Sequence, residues 1–174
     1  MTDSILSSVD HFAGVRQGLE TMIEAATIGE ACSLDHFALE GFVQRQMREL
    51  GRLYLQAALD LRHAREPRLR AVLGSDLVPR SHRKERFRDL VSVVGEVKIS
   101  RIAYAAPEHA SLMPLDEQLN LPTESYSLGV REVAARESVR GSFEAAVEAL
   151  ERNTGVHVPK RQFIELVGRA SMDF

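Results

Sequence analysis

The stretch of sequence that decides the fold is residues 90–104, LVSVVGEVKISRIAY. β-Branched residues lie on both sides of the pair Gly95-Glu96, and such residues favour strands. A two-residue connection that begins with glycine is typical of a tight hairpin turn. The stretch therefore predicts an antiparallel β-hairpin that turns at Gly95-Glu96.

The segment just before the hairpin, residues 79–88, is rich in positive charge. Glu85 is its one acidic residue, and Pro79 favours a turn. We predict a basic linker that touches DNA phosphates, although a charge run is as often plain solvated surface. A second tract with four arginines, residues 62–70, is open to the same two interpretations. The predicted phosphate contacts in the linker are Arg80, Arg83, Lys84, Arg86 and Arg88.

After the hairpin, residues 105–123 contain three prolines and little periodicity. Segments of this kind run over the surface of a protein. We predict an ordered connector, so that hairpin and connector together span residues 89–123. The apolar residues expected to fix the connector to a core are Leu112, Leu115, Leu119 and Leu121.

The C-terminal part of the chain, residues 124–174, contains the start and stop signals of three short helices. Ser127 and Ser142 are suitable N-caps for the first two helices. Gly141 and Gly155 suit the ends of those helices. The spacing predicts a small three-helix bundle.

Three helices of this length resemble a helix-turn-helix unit, in which the third helix reads DNA. Pro159 fits the first turn of that third helix. The stripe predicted to face inward is Phe163, Leu166, Val167 and Ala170. The polar residues predicted to face outward and contact phosphates or base edges are Lys160, Arg161, Gln162 and Arg169.

Residues 1–78 are predicted to be helical. Apolar residues recur at steps of three and four from Asp3 to Ala31, while Gly14 and Gly18 weaken that run. One broken helix or two short helices would fit this pattern.

A second, longer helix is predicted from Ser33 or Asp35 to about Arg65, ahead of Pro67. Its apolar residues keep close to a seven-residue spacing, which suits a partner helix. The repeat is short, so packing within the chain and self-association both remain open. The stripe consists of Leu39, Phe42, Val43, Leu50, Leu53, Tyr54, Ala57 and Leu61.

Together these elements predict a mainly α fold with one β-hairpin: an N-terminal helical hairpin, the small β-hairpin and a C-terminal three-helix, helix-turn-helix-like bundle. The chain has 174 residues, 44% of them hydrophobic, and a formal net charge of −3. It can bury a core, but no overall positive field attracts nucleic acid, so any DNA affinity must come from local patches. With no membrane span or secretory leader recognisable, we predict a soluble cytoplasmic protein.

The residue patterns of most enzymes and metal proteins are missing. Cys32 is the single cysteine and lies among apolar residues, which predicts a buried, inert thiol and leaves no disulfide or cysteine zinc site. The six histidines do not fall at metal-ligand spacing, and no glycine-rich phosphate-loop motif occurs. We therefore predict no cofactor, no metal and no catalytic residue.

A set of short motifs in the second half of the chain resembles the front part of the ISKra-type insertion-sequence transposases. The motifs occur in the same order as in that family and cover roughly residues 86–174. They are Val94–Arg101, Tyr104, Pro114–Asp116, Leu119–Pro122, Tyr126–Gly129, Gly141–Ala146 and Asn153–Gln162.

The resemblance implies a front region that reads the ends of a transposable element, followed by an RNase-H-like domain whose carboxylates bind two divalent metals. The family motif ends near residues 170–174, where this chain stops, so no catalytic carboxylate is carried over. Relatives often have a cysteine-rich zinc knuckle after the hairpin. Residues 104–109 contain no cysteine, so no zinc is predicted.

Two functions are therefore expected from the sequence. The first is a DNA-binding, non-enzymatic N-terminal segment of an ISKra-type transposase, truncated before the catalytic domain, with the terminal repeats of the element as its partner. The second is a helical self-association module that pairs with another copy or with full-length transposase and inhibits transposition. A product without function is a third alternative that the residues do not exclude.

Overall fold

The computed structural model describes residues 9–173, with side chains as far as Ala170. Its contacts divide the chain into two compact units, Met1–Leu61 and Arg62–Phe174. The fold is mainly helical, as predicted, but the described residues form five strands in two sheets where one β-hairpin was predicted. The boundary between the units lies before residue 62 and not after residue 78. The reason is that the chain just after residue 62 is bonded to the sheet of the second unit.

The first unit is built from two helices. Asp35 caps the second of them, because its Oδ1 accepts a hydrogen bond of 2.8 Å from Ala38 N. The apolar residues Ile5 and Leu6 of the predicted first helix lie outside the described residues. The helices are α1 (Ala13–Thr27) and α2 (His36–Ala64), with a 3₁₀ turn at Glu30–Ser33 between them.

The break after α1 falls at Gly29 and not at the predicted weak points Gly14 and Gly18, both of which lie within the helix. A Cβ atom on Gly29 would lie 2.8 Å from the Cα of Ala25. The chain therefore folds back so closely on the last turn of α1 that only glycine fits there.

The second unit combines two small antiparallel sheets with four helices in its described part. Strands β1 and β2 form a two-stranded ladder, and the other three form a sheet in the order β3-β4-β5. The strands are β1 (Val72–Leu73), β2 (Pro79–Arg80), β3 (His82–Ser92), β4 (Gly95–Ala106) and β5 (His109–Leu112). The helices are α3 (Pro114–Gln118), α4 (Leu128–Ser138), α5 (Phe143–Thr154) and α6 (Lys160–Asp173).

The hairpin turns two residues earlier than predicted. Ser92 pairs with Gly95, so Val93 and Val94 form the turn instead of Gly95-Glu96. The Ser92 hydroxyl accepts from Val94 N at 3.3 Å and donates to Gly95 O at 2.7 Å. Gly95 has a φ of 127°, which explains why glycine is needed beside the turn.

The predicted linker over residues 79–88 is wrong, because most of it belongs to strand β3. The pairing of β3 with β4 runs without interruption from His82↔Ala105 to Ser92↔Gly95. Strand β3 lies at the edge of the sheet, and the side chains of residues 82–87 are exposed. Charged residues therefore stay in water while their backbone is paired, so the charge run does not prevent strand formation.

The predicted connector over residues 105–123 contains regular structure of its own. Strand β5 pairs with β4 and makes the hairpin a three-stranded sheet, and α3 follows with Pro114 at its first turn. Leu115 is buried, as expected of an apolar anchor. The other predicted anchors are half-buried, namely Leu112, Leu119 and Leu121.

The last three helices share one hydrophobic core. Ser127 and Ser142 cap α4 and α5 as predicted, accepting from Val130 N at 3.2 Å and Ala145 N at 3.3 Å. The left-handed Gly155, with φ of 71°, ends α5. The buried core residues are Val130, Ala134, Ala146, Leu150, Val158, Phe163 and Leu166.

The hairpin is joined to this bundle by backbone hydrogen bonds. Val91 N donates to Ser125 O at 2.7 Å, and Ser127 N donates to Val91 O at 2.9 Å. The Val91 side chain also packs against the bundle core. Sheet and bundle thus brace each other within the second unit.

Within the described residues, we find no helix that combines the length and the apolar character needed to cross a membrane.

Candidate nucleic-acid interface

The inward stripe predicted for α6 agrees with the structure. Phe163, Leu166 and Ala170 are buried, and Val167 is half-buried against the same core. This orientation leaves the predicted polar residues of α6 on the outside of the bundle, where they can meet another molecule.

The first turn of α6 carries two cations that already have acidic neighbours. Lys160 forms an ion pair with Glu144 of α5 and, through that hydrogen bond, holds the pKa of the Glu144 carboxyl below its usual value. Arg161 Nε lies 3.5 Å from Glu165 Oε1, and its side chain is 93% exposed. Such exposed pairs contribute little stability, so both cations can exchange partners.

The other two predicted residues of α6 are bound more firmly to the protein. The Gln162 amide oxygen accepts a hydrogen bond from the Tyr126 hydroxyl. Arg169 Nη1 lies 2.6 Å from Glu124 Oε1, and the same carboxylate pairs with the buried Arg131. Gln162 and Arg169 therefore support the bundle in this structure.

Arg80 was predicted to contact phosphate, and the structure contradicts that role. Its side chain is 4% exposed, and its Nη2 donates to Asp76 Oδ2 at 2.6 Å. It also donates to the carbonyls of Val78 and Ala110. The hydrogen bond from Arg80 holds the pKa of the Asp76 carboxyl far below its usual value. Arg80 fastens β2 to β5, and its burial shields it from an outside ligand.

Arg88 has a structural role as well. Its Nη2 donates to Pro122 O at 2.6 Å and its Nη1 to Thr123 O at 3.2 Å. These bonds tie β3 to the segment that leads into α4. Arg88 is therefore not part of the surface predicted to meet DNA.

The remaining three predicted residues of this region, Arg83, Lys84 and Arg86, are exposed on β3. Over residues 9–173, the structure records no side-chain hydrogen bond or ion pair for any of them. They differ in this respect from the cations of α6. The cations best placed for an outside anion thus lie on the edge strand.

Arg83 and Lys84 line a pocket of about 270 Å³ together with Arg68, Glu85 and Ile102. Arg68 belongs to the arginine-rich tract of residues 62–70, whose side chains at positions 62, 65, 68 and 70 are exposed. Two basic tracts that are separate in the sequence therefore meet at one pocket. We call the set Arg68, Arg83 and Lys84 the cationic pocket.

The arginine tract is held against the sheet by contacts from its neighbours. The Glu66 carboxylate accepts from Ile102 N at 3.0 Å and lies 3.2 Å from His63 Nδ1. The Tyr104 hydroxyl accepts from Leu69 N at 2.8 Å. Glu66 is 3% exposed. Its carboxylate is bonded to the backbone of β4 and forms no ion pair with Arg68 in the described structure.

The composition of residues 62–70 indicated a positive charge, but the sequence did not predict that Arg68 would line a pocket with residues of β3. The position of Arg68 at the pocket depends on Tyr104 and Ile102, which lie more than thirty residues further along the chain and bind its neighbours Leu69 and Glu66. An exposed Glu85 partly offsets the cations.

The structure gives no indication of a metal site in the part of the chain that it describes, since no three metal-ligating side chains come together there. Cys32 was predicted to be buried, but it is exposed in the turn between α1 and α2. Comparisons with protein-family models, with curated proteins and with solved structures give no match for this chain.

Proposed function

We propose that the chain is a DNA-binding segment of an ISKra-type insertion-sequence transposase, that it acts in the cytoplasm, and that it carries out no phosphodiester chemistry itself. The cationic pocket holds the phosphate backbone. The first turn of α6 reads the base edges of the terminal repeat. The motifs from Val94 to Gln162 support the choice of family.

One observation carries the DNA-binding proposal. Arg68, Arg83 and Lys84 come from two segments, converge on one pocket and have no side-chain ion pair in the described structure. Phosphate contacts of this kind supply most of the affinity of a protein for DNA, independent of sequence. In a chain with a net charge of −3, this local concentration of unpaired cations favours a polyanionic partner.

Recognition of sequence is assigned to Lys160 and Arg161. In helix-turn-helix proteins, residues at the start of the recognition helix contact base edges in the major groove. The ion pairs of Lys160 with Glu144 and of Arg161 with Glu165 would be exchanged for contacts to DNA. This exchange costs little free energy, because all four side chains are largely exposed.

The test is a titration of the protein with a labelled duplex of the element's terminal sequence and with a scrambled duplex, each at two salt concentrations. We expect preference for the terminal duplex at the higher salt. Reversal of charge at Lys160 and Arg161, both to Glu, should remove that preference, which falls by about 5- to 150-fold for each base contact that is lost.

The control variant is Arg136→Glu with Arg152→Glu. Both arginines pair with exposed glutamates, on α4 and α5, and their reversal changes the net charge by the same amount. It should keep the preference. If the variant at Lys160 and Arg161 still prefers the terminal duplex, α6 is not the reading helix.

Self-association is a second candidate, favoured by the apolar surface of α2. Of the predicted stripe, Leu39, Val43 and Tyr54 are 36%, 39% and 58% exposed, whereas Phe42 and Ala57 are buried. We propose that this surface pairs with another copy or with full-length transposase, as expected for a heptad-like stripe. Sedimentation analysis should then find a dimer at micromolar concentration, and a monomer would exclude this function.

A further inference from the structure

An exposed aromatic residue, Phe87, lies on the same strand as the cationic pocket. Its side chain is 65% exposed, the highest value for any aromatic residue in the described part of the second unit. The residue opposite it on β4 is the small Ser100. No larger side chain therefore stands across the strand from the ring of Phe87.

Phe87 and Arg83 are on the same face of the sheet. Side chains alternate along a strand, so positions 83, 85 and 87 of β3 point to one side. Four residues of strand separate the Cα atoms of Arg83 and Phe87 by about 13 Å. Glu85 lies between them, and Ile102 opposite Glu85 lines the pocket. Arg83, Glu85 and Phe87 thus lie in one row on the same face of β3, and we call this row the strip.

We infer that this strip binds single-stranded DNA, with a base stacked on Phe87 and a phosphate a few nucleotides away in the cationic pocket. Proteins that bind single strands combine a basic groove with aromatic rings on which bases stack. A base in an intact duplex has no free face to offer. The inference rests on the proposed function and deepens it, because it names unpaired DNA as the form that this sheet holds.

The surroundings of Phe87 are charged and polar, which distinguishes them from an apolar peptide groove. Arg86 precedes Phe87 and is exposed without a side-chain partner in the described structure, and by strand alternation it points to the opposite face. Glu85 and Asp89 flank Phe87 on the same face, each two residues away, and Asp89 lies opposite Lys98. A peptide groove would need further exposed apolar side chains beside the ring, and none borders it on β3.

The chain contains no tryptophan, which allows a direct test. Phe87→Trp places a single fluorophore at the proposed stacking position. We expect a short oligodeoxythymidylate to quench its fluorescence, whereas a blunt duplex of equal length should leave it nearly unchanged. Phe37→Trp is the matched control, because Phe37 is 85% exposed on α2 and should not respond to either DNA.

Affinity measurements provide the second readout. Phe87→Ala should weaken binding of the oligodeoxythymidylate by about 5- to 150-fold, the effect of removing one stacked base. It should leave duplex affinity nearly unchanged, and Phe87→Tyr should bind as the unmodified protein does. Because Phe87 is mostly exposed, these variants should fold, which circular dichroism will verify.

The outcomes separate this inference from the proposed function. Equal loss of single-stranded and duplex binding, or no quenching at position 87, would overturn the stacking site while leaving duplex recognition standing. A clear preference for oligouridylate of the same length would overturn the assignment to DNA. If neither form of DNA binds at all, the proposed function itself fails.

Discussion

Phe163→Ala is expected to lower the free energy of unfolding of the second unit by about 3–5 kcal/mol, the usual cost of removing a buried aromatic ring. Phe163 is fully buried at the centre of the core shared by α4, α5 and α6, and its ring lies 6.2 Å from that of Phe143. Since domains of this size are typically stable by about 5–15 kcal/mol, the variant should lose a large part of its stability.

Denaturant unfolding followed by circular dichroism measures this effect. Ile164→Ala is the control, because Ile164 is the next residue of α6 and is 46% exposed. It should cost less than about 1 kcal/mol. If Phe163→Ala were as stable as the control, the three helices would not share the core described above.

Reversal of charge in the cationic pocket, Arg83→Glu with Lys84→Glu, is expected to reduce affinity for any duplex on the order of 100-fold at low salt. Both cations lack an internal partner in the described structure, so their full charge is available to a phosphate. The dependence of log K on log salt should become shallower by about 2, one unit for each lost phosphate contact. Terminal and scrambled duplexes should be affected alike.

The double reversal of Arg136 and Arg152 again serves as the control, because it alters the net charge by the same amount outside the pocket. An equal loss of affinity in both variants would mean that only overall charge matters and that the pocket has no special role. Fluorescence anisotropy with both duplexes distinguishes these results.

Features that depend on neighbouring residues could be predicted from the sequence. Ser127, Ser142 and Asp35 cap helices through backbone groups three residues away, so a short window contains both partners. The inward stripe of α6 follows from helical periodicity in the same way. These short-range rules placed the main helices of the second half correctly.

Features that depend on distant partners were missed. His82 and Arg83 form a strand because Ala105 and Tyr104 pair with them. Arg80 is buried because the carbonyl of Ala110, thirty residues away, accepts its hydrogen bond. In both cases the charge of the segment indicated a solvated linker, whereas tertiary contacts determined the structure.

The position of β3 at the edge of its sheet has a consequence for aggregation. Over most of its length the strand pairs on one side only, and an unpaired strand edge is a template for a strand from another molecule. Arg83, Lys84 and Arg86 place positive charge along this edge, so two such edges repel each other. The same cations should therefore oppose assembly into extended intermolecular sheets, and neutral residues in their place should weaken that protection.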